Sequence, residues 1–115
     1  SIKIIGAEAF AGNTSLTSIT IGENVTEIQY GAFKDCTNLT SITLKDKLIT
    51  IGNAAFSNNS SLRKITLPKN LENLGSGVFA GCDKLSTINI DKNNPFFVFE
   101  KNVFYYFLKF LPNNM

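Results

Sequence analysis

The chain has 115 residues, 43% of them apolar, which is enough for one domain with a buried core. Its 11 Lys and Arg residues against 9 Asp and Glu give a net charge of +2, without the basic stripe expected of a nucleic-acid-binding protein. With no His and only scattered carboxylates, the sequence assembles no general base, nucleophile pair or metal site. We therefore predict a protein that is not an enzyme, uses no cofactor or metal and has no nucleic-acid partner.

The sequence has no apolar run long enough for a membrane-spanning helix. The nearest approach is residues 103–108, which end at Lys109 and are more typical of a packed strand. We therefore predict no insertion into a membrane.

A 23-residue repeat runs through most of the chain without an insertion. Position 1 of the repeat is Ile5, Ile28, Ile51 and Leu74, and position 17 is always Ile or Leu. Three positions are invariant: position 6 is Phe (Phe10, Phe33, Phe56, Phe79), position 12 is Leu (Leu16, Leu39, Leu62, Leu85) and position 15 is Ile (Ile19, Ile42, Ile65, Ile88). Six large apolar positions spread in this way fit neither one amphipathic helix nor one strand.

Such a repeat cannot fold alone, because the entropy of ordering its backbone exceeds what six buried side chains contribute. Stacked copies hydrogen-bond to each other and pack equivalent side chains against one another, which is how a solenoid is stabilised. We therefore predict that each repeat forms one coil of a solenoid, with its apolar positions turned inward.

Within a repeat, the first predicted element is compact. The segment "IGNAAFSN", residues 51–58, has room for one helical turn, and position 8 holds residue types that tolerate the left-handed conformation: Gly12, Asp35, Asn58 and Gly81. The second element is a strand, because "SLTSITI", residues 15–21, alternates outward Ser and Thr with inward Ile. Copies of this strand run in the same direction and predict a parallel sheet, and turn residues then close each coil.

The spacing of Leu62, Ile65 and Leu67 matches the leucine-rich-repeat signature. More specifically, "LRKITLPKNLENLGSGVFAGC", residues 62–82, resembles the BspA-like (treponemal-type) leucine-rich repeat, whose units read approximately L-x-x-I-x-L-P-x-x-V-x-x-I-G-x-x-A-F-x-x-C. The resemblance covers residues 2 to about 94. The chain departs from that pattern at Gln29, Val78 and two position-9 residues, Asn13 and Asn59, without breaking the apolar frame.

The resemblance implies an α/β repeat solenoid: a right-handed coil with a parallel β-sheet on one face and short helical turns on the other. It also implies an extracellular or cell-surface protein of bacteria or protists, in a family associated with adhesion to host or matrix proteins.

The two cysteines, Cys36 and Cys82, occupy the same repeat position two copies apart. Two sheet steps separate them by about 9–10 Å, which exceeds the Cα separation of about 4.4–6.8 Å in a disulfide. We predict two free, buried thiols in a ladder with Asn59 that satisfies backbone groups, rather than a redox or metal pair.

The repeat ends near residue 95, and an aromatic-rich segment follows. Residues 96–110 contain eight of the 13 aromatic residues of the chain. We predict a leucine-rich-repeat array over residues 1–95, consisting of about four repeats after a truncated one, and a capping segment or further element over residues 96–115. The alternative for residues 96–115 is a surface for self-association. Because Ile2 falls on position 21 of a preceding copy, we also expect a fragment of a larger protein.

The outward strand positions are the candidate binding face, because a parallel stack displays them in columns. They are Ser18, Ser41, Lys64 and Thr87 in one column and Thr20, Thr43, Thr66 and Asn89 in the other. We predict an adhesin-like module that binds protein partners, with host or matrix proteins implied by the resemblance. The alternative is a passive spacer or self-assembly element, since Thr also fits exposed strands through β propensity alone.

Overall fold

The structure is a computed structural model that describes residues 1–97, so the predicted strand at residues 103–108 lies outside the described part of the chain. Residues 1–97 wind through about four coils and form eight short strands. In chain order these are β1 (Ile4–Ile5), β2 (Ser18–Thr20), β3 (Glu27–Ile28), β4 (Ser41–Thr43), β5 (Thr50–Ile51), β6 (Lys64–Leu67), β7 (Asn73–Leu74) and β8 (Thr87–Ile90).

All strand pairs are parallel, and each paired strand residue lies opposite the residue 23 positions along the chain, as Ile5 does with Ile28 and Ile19 with Ile42. One wall is a continuous four-stranded sheet in the order β1-β3-β5-β7, which the sequence analysis did not predict. The other wall carries the predicted strands, but as two separate pairs, β2-β4 and β6-β8. The parallel pairing is therefore confirmed, whereas one continuous sheet of the predicted strands is wrong.

The predicted helical turns are also wrong, because residues 1–97 contain no helix. The segment that follows each of the strands β1, β3, β5 and β7 is a chain of turns in which alternate N–H groups bond three residues back, as Lys34 does to Gly31 and Ser57 to Ala54. The N–H groups between them donate to the next coil: Gly31 to Asn53, Phe33 to Ala55 and Asp35 to Ser57, at 2.8–3.0 Å. A helix would keep all of these bonds within its own segment.

Left-handed residues hold this segment in its turns. Position 8 has positive φ in all four copies, from 59° at Asn58 to 76° at Gly81, as predicted. Position 4 also has positive φ, even where the residue is Glu8 or Ala54, both at 57°. Because a left-handed residue occurs every fourth position, no uninterrupted helical stretch can form there.

The core is a column of equivalent side chains. The rings of Phe10, Phe33, Phe56 and Phe79 stack on one another, with neighbouring centroids 5.2, 5.6 and 6.2 Å apart and planes within 14° of parallel. The Leu at position 12 and the Ile at position 15 are buried in the second, third and fourth copies, and are partly exposed in the first. The predicted inward positions are therefore confirmed, with the first coil left open on one side.

We expect the energetic weight of the phenylalanine column to depend on the position of the ring in the stack. Phe56 is 0% exposed between two rings, whereas Phe10 is 39% exposed at the end. Phe56→Ala should reduce the free energy of unfolding by about 3–5 kcal/mol, and Phe10→Ala by clearly less. Urea unfolding measures both, and Phe56→Leu extends the comparison if the alanine variant does not fold. Equal losses at the two positions would contradict the stacked core.

Candidate functional site

The structure exposes all eight residues of the candidate binding face. It brings them together in two groups of four rather than in one surface. Ser18 and Thr20 lie beside Ser41 and Thr43 on β2-β4, whereas the second group, on β6-β8, contains Lys64, Thr66, Thr87 and Asn89. The two groups meet where β4 and β6 run side by side without pairing.

A cleft separates these two strands, and we call it the strand cleft. Its banks are residues 40–44 and residues 64–66, and its volume is about 250 Å³. Ser41, Thr43 and Thr66 place hydroxyl groups along it, and Lys64 is the one charged residue among those that line it. Its lining combines these hydroxyl groups with the apolar side chains of Ile42, Leu44 and Ile65, and Lys64 gives it one positive charge.

A second groove, the turn groove, lies on the turns of the second to fourth repeats. It has a volume of about 380 Å³ and is lined by Tyr30, Lys34, Asn53, Ala54, Ser57, Asn58, Ser76 and Ala80. Tyr30 is 46% exposed, and the Lys34 ammonium lies 5.8 Å from the centre of its ring. An exposed Tyr beside polar side chains is typical of residues that anchor a partner.

Neither groove was predicted from the sequence. The sequence feature that could have indicated the turn groove is Tyr30, which occupies a repeat position where the other copies have Ala7, Asn53 and Ser76. The strand cleft had none, because the two coils that border it carry the same inward residues, Ile42 and Leu44 in one and Ile65 and Leu67 in the other.

Residues 1–97 contain no group of three or more His, Cys, Asp or Glu side chains that could hold a metal ion. The same part of the chain contains no helix long and apolar enough to cross a membrane.

Position 9 forms a ladder of buried hydrogen-bond donors. The Cys36 thiol, the Asn59 amide and the Cys82 thiol each donate to the carbonyl of the Phe 26 residues earlier, at 3.2, 2.8 and 3.1 Å respectively. Both cysteines are free and buried, as predicted. Burial raises the pKa of the Cys36 thiol, the nearby Asp35 carboxylate adds to this, and a hydrogen bond from the Asn13 backbone opposes it. Because a raised pKa keeps the thiol protonated, its role is to donate a hydrogen bond and fill the core.

Asn59 fits this ladder less well than the cysteines, because its Oδ1 atom is buried without a partner. Asn59→Cys keeps a donor for the Phe33 carbonyl and removes the unpaired oxygen, so we expect little or no loss of stability. Asn59→Val removes the donor as well, which should cost about 1–3 kcal/mol because the Phe33 carbonyl is left unpaired. Urea unfolding under reducing conditions compares the two variants. If the valine variant is as stable as the cysteine variant, the donor at this position does not support the fold.

A known protein family matches most of the chain. The model of the BspA type leucine-rich repeat region matches residues 1–110 in 6 copies. Comparison with curated proteins finds no significant match.

Solved structures of bacterial leucine-rich-repeat proteins are similar to the chain. A leucine-rich repeat protein from Bacteroides capillosus is 29% identical with a TM-score of 0.72, over 78% of this chain and 64% of that one. A leucine rich cell surface protein from Faecalibacterium prausnitzii is 26% identical with a TM-score of 0.60, over 78% of this chain and 30% of that one. The leucine-rich repeat protein of T. pallidum, at 23% identity and a TM-score of 0.53, shares the fold over 76% of this chain and 63% of that one.

The chain thus spans less than two thirds of the length of each of these proteins. The period of 23 residues, the parallel register and the match over residues 1–110 agree with one another. On this evidence the chain belongs to the BspA-type leucine-rich-repeat family.

Proposed function

We propose that the chain is a non-enzymatic, adhesin-like interaction module that binds proteins outside the cell. The observation that carries this proposal is the exposure of all eight outward strand residues in two groups that flank the strand cleft. Membership of the family supports it, and so does the similarity to a protein described as a leucine rich cell surface protein. Host or matrix proteins are the proposed partners, and the cell surface or the extracellular space is the proposed location.

Binding by such a module depends on repetition. The exposed strand residues are small and polar, with Lys64 the one charged residue among the eight, so each repeat offers only a weak contact. Similar structures extend well beyond this chain, which spans only 30% of the Faecalibacterium protein. We propose that weak contacts are multiplied along a longer array, of which this chain is a fragment.

We also propose that the array occupies residues 1–95 and that residues 96–115 form its cap. Asn94 supports this division, because it is 7% exposed at a position where earlier copies have an aliphatic residue. Its amide donates to the carbonyls of Pro68 and Leu71, and its Oδ1 accepts from the backbone N–H groups of Phe96 and Phe97. The side chain therefore closes one coil while it turns the backbone into the aromatic segment.

Reversing the charge on the face tests the interaction. The Lys64→Glu and Thr66→Glu double variant should bind a panel of immobilised extracellular-matrix proteins at least tenfold more weakly than the wild type. It removes the only positive charge among the eight residues of the face and places two negative charges there. The matched control is Thr37→Glu with Lys84→Glu, which makes the same charge change at exposed residues outside the face. Surface plasmon resonance measures both. Unchanged binding in the double variant, or an equal loss in the control, would place the site elsewhere.

Self-assembly is the second candidate, and the aromatic composition of residues 96–115 favours it. Phe96, at the start of this segment, is 51% exposed. If molecules associate through the segment, light scattering should show a mass that rises with concentration, and removal of residues 96–115 should abolish that rise. A monomer at all concentrations would exclude self-assembly.

A further inference from the structure

The turn groove runs along the array and is lined mainly by two columns of equivalent side chains. The columns are repeat position 3, with Tyr30, Asn53 and Ser76, and repeat position 7, with Lys34, Ser57 and Ala80. Neighbouring coils of a parallel stack are about 4.8 Å apart, so three copies give the groove a length of about 10 Å. No residue lines both this groove and the strand cleft.

The backbone along the groove is already hydrogen-bonded between coils. The N–H of Ala54 donates to the Ser76 carbonyl at 2.9 Å. The N–H of Asn58 donates to the Ala80 carbonyl at 2.7 Å. Because these groups are used within the array, they are not available to the extended backbone of a partner. A ligand of this groove therefore has to be recognised by side chains.

Two asparagine side chains of the groove are each held at one end. The Asn53 Oδ1 atom accepts from the Ser76 N–H at 2.9 Å, and the Asn58 amide donates to Oδ1 of Asp35 at 2.8 Å. Because an amide group carries both donors and an acceptor, Asn53 keeps its NH2 group for a ligand and Asn58 keeps its oxygen. The groove thus offers an oriented donor and an oriented acceptor, which is the combination that hydroxyl groups of a ligand can satisfy.

Tyr30 adds a flat, partly apolar surface at one end of the groove. It is the one aromatic residue among those that line the groove, and it is 46% exposed. The face of an aromatic ring is electrically negative and attracts polarised C–H groups. A pyranose sugar presents such C–H groups on one face and hydroxyl groups around its edge, so it is complementary to a tyrosine ring beside two amides.

The charge of the groove is small. Lys34 is the one charged residue among those that line it, and its ammonium lies 5.8 Å from the centre of the Tyr30 ring. The Asp35 carboxylate, which holds Asn58, follows directly in the chain and offsets the positive charge. This balance favours a neutral ligand over a strongly anionic one.

We propose that the turn groove binds a neutral sugar of a glycan, with the C–H face of the sugar on Tyr30 and its hydroxyl groups on Asn53 and Asn58. The volume of about 380 Å³ lies near the lower end of the range of about 300–1,000 Å³ for small-molecule sites, which suits a monosaccharide or a disaccharide. This inference goes beyond the proposed protein-binding function, because it assigns a second class of ligand to a separate surface.

The test titrates the full chain with neutral sugars and follows the binding by NMR. The probes are the methyl glycosides of glucose, galactose and N-acetylglucosamine, and the disaccharides cellobiose and lactose. At least one of them should shift the side-chain NH2 signals of Asn53 and Asn58 in a saturable way. Added sodium chloride should have little effect, because the ligand carries no charge. The blocked peptide acetyl-Gly-Tyr-Gly-amide represents a peptide ligand and should not shift these signals.

Substitutions locate the site. Tyr30→Ala, which introduces the residue type of Ala7 in the first copy, should weaken sugar binding about tenfold or more, whereas Tyr30→Phe keeps the ring and should change it by no more than about twofold. Asn53→Ala removes the donor and should also weaken binding. Its matched control is Asn93→Ala, which removes an exposed asparagine side chain outside the groove and should have no effect.

The proposal is overturned if none of the five sugars shifts the two amide signals, if Tyr30→Ala binds sugar as tightly as the wild type, or if only the peptide binds. The Lys64→Glu and Thr66→Glu double variant leaves the turn groove intact, so it should bind sugar as the wild type does. Loss of sugar binding in that double variant would also contradict a separate site. The sugar site and the protein-binding face therefore succeed or fail independently.

Discussion

The whole structure depends on one constraint, which is that each coil contains 23 residues and places every residue beside its equivalent in the next coil. This register lets the N–H of Phe33 donate to the Ala55 carbonyl at 2.8 Å while the rings of Phe33 and Phe56 stack. Backbone bonds and side-chain packing therefore reinforce each other at the same position. A coil with one residue more or fewer would lose both at once, which explains why the period is kept without an insertion through four copies.

The same constraint explains how the array tolerates the strand cleft. Three hydrogen bonds join neighbouring coils along the turn segments, and the four-stranded sheet adds more on its wall. Ile42 and Ile65 are 7% and 2% exposed beside the cleft, so the core stays closed where the sheet opens. The coils are held on the other sides, and the unpaired edges of β4 and β6 can face solvent without loss of the fold.

The sequence predicted the features that depend on side-chain type and period. The inward Phe, Leu and Ile positions, the parallel register and the buried free cysteines all follow from which residues recur every 23 positions.

The features that the sequence did not predict depend on backbone geometry. The turn segment is long enough for one helical turn. Alternate N–H groups in it bond to the neighbouring coil instead, and this pattern cannot be inferred from a single repeat. The left-handed conformation of Glu8 and Ala54 could not be predicted either, since neither residue type favours it. The interruption between β4 and β6 leaves no trace in the sequence, because "SITL" and "KITL" share their inward residues.

These misses bear directly on function. A perfectly periodic solenoid presents the same surface at every coil, so it cannot distinguish one site along its length from another. A specific site therefore requires a departure from the period. The outward Ser and Thr columns depart little, and they fit plain strand formation as well as they fit binding. The strand cleft and the turn groove around Tyr30 are two places where the described part of the chain departs from its period, one in the backbone and one in a side chain. If the module recognises one particular partner, as we propose, departures of this kind are where its surface can distinguish that partner, whereas the repeated positions hold the coils in register.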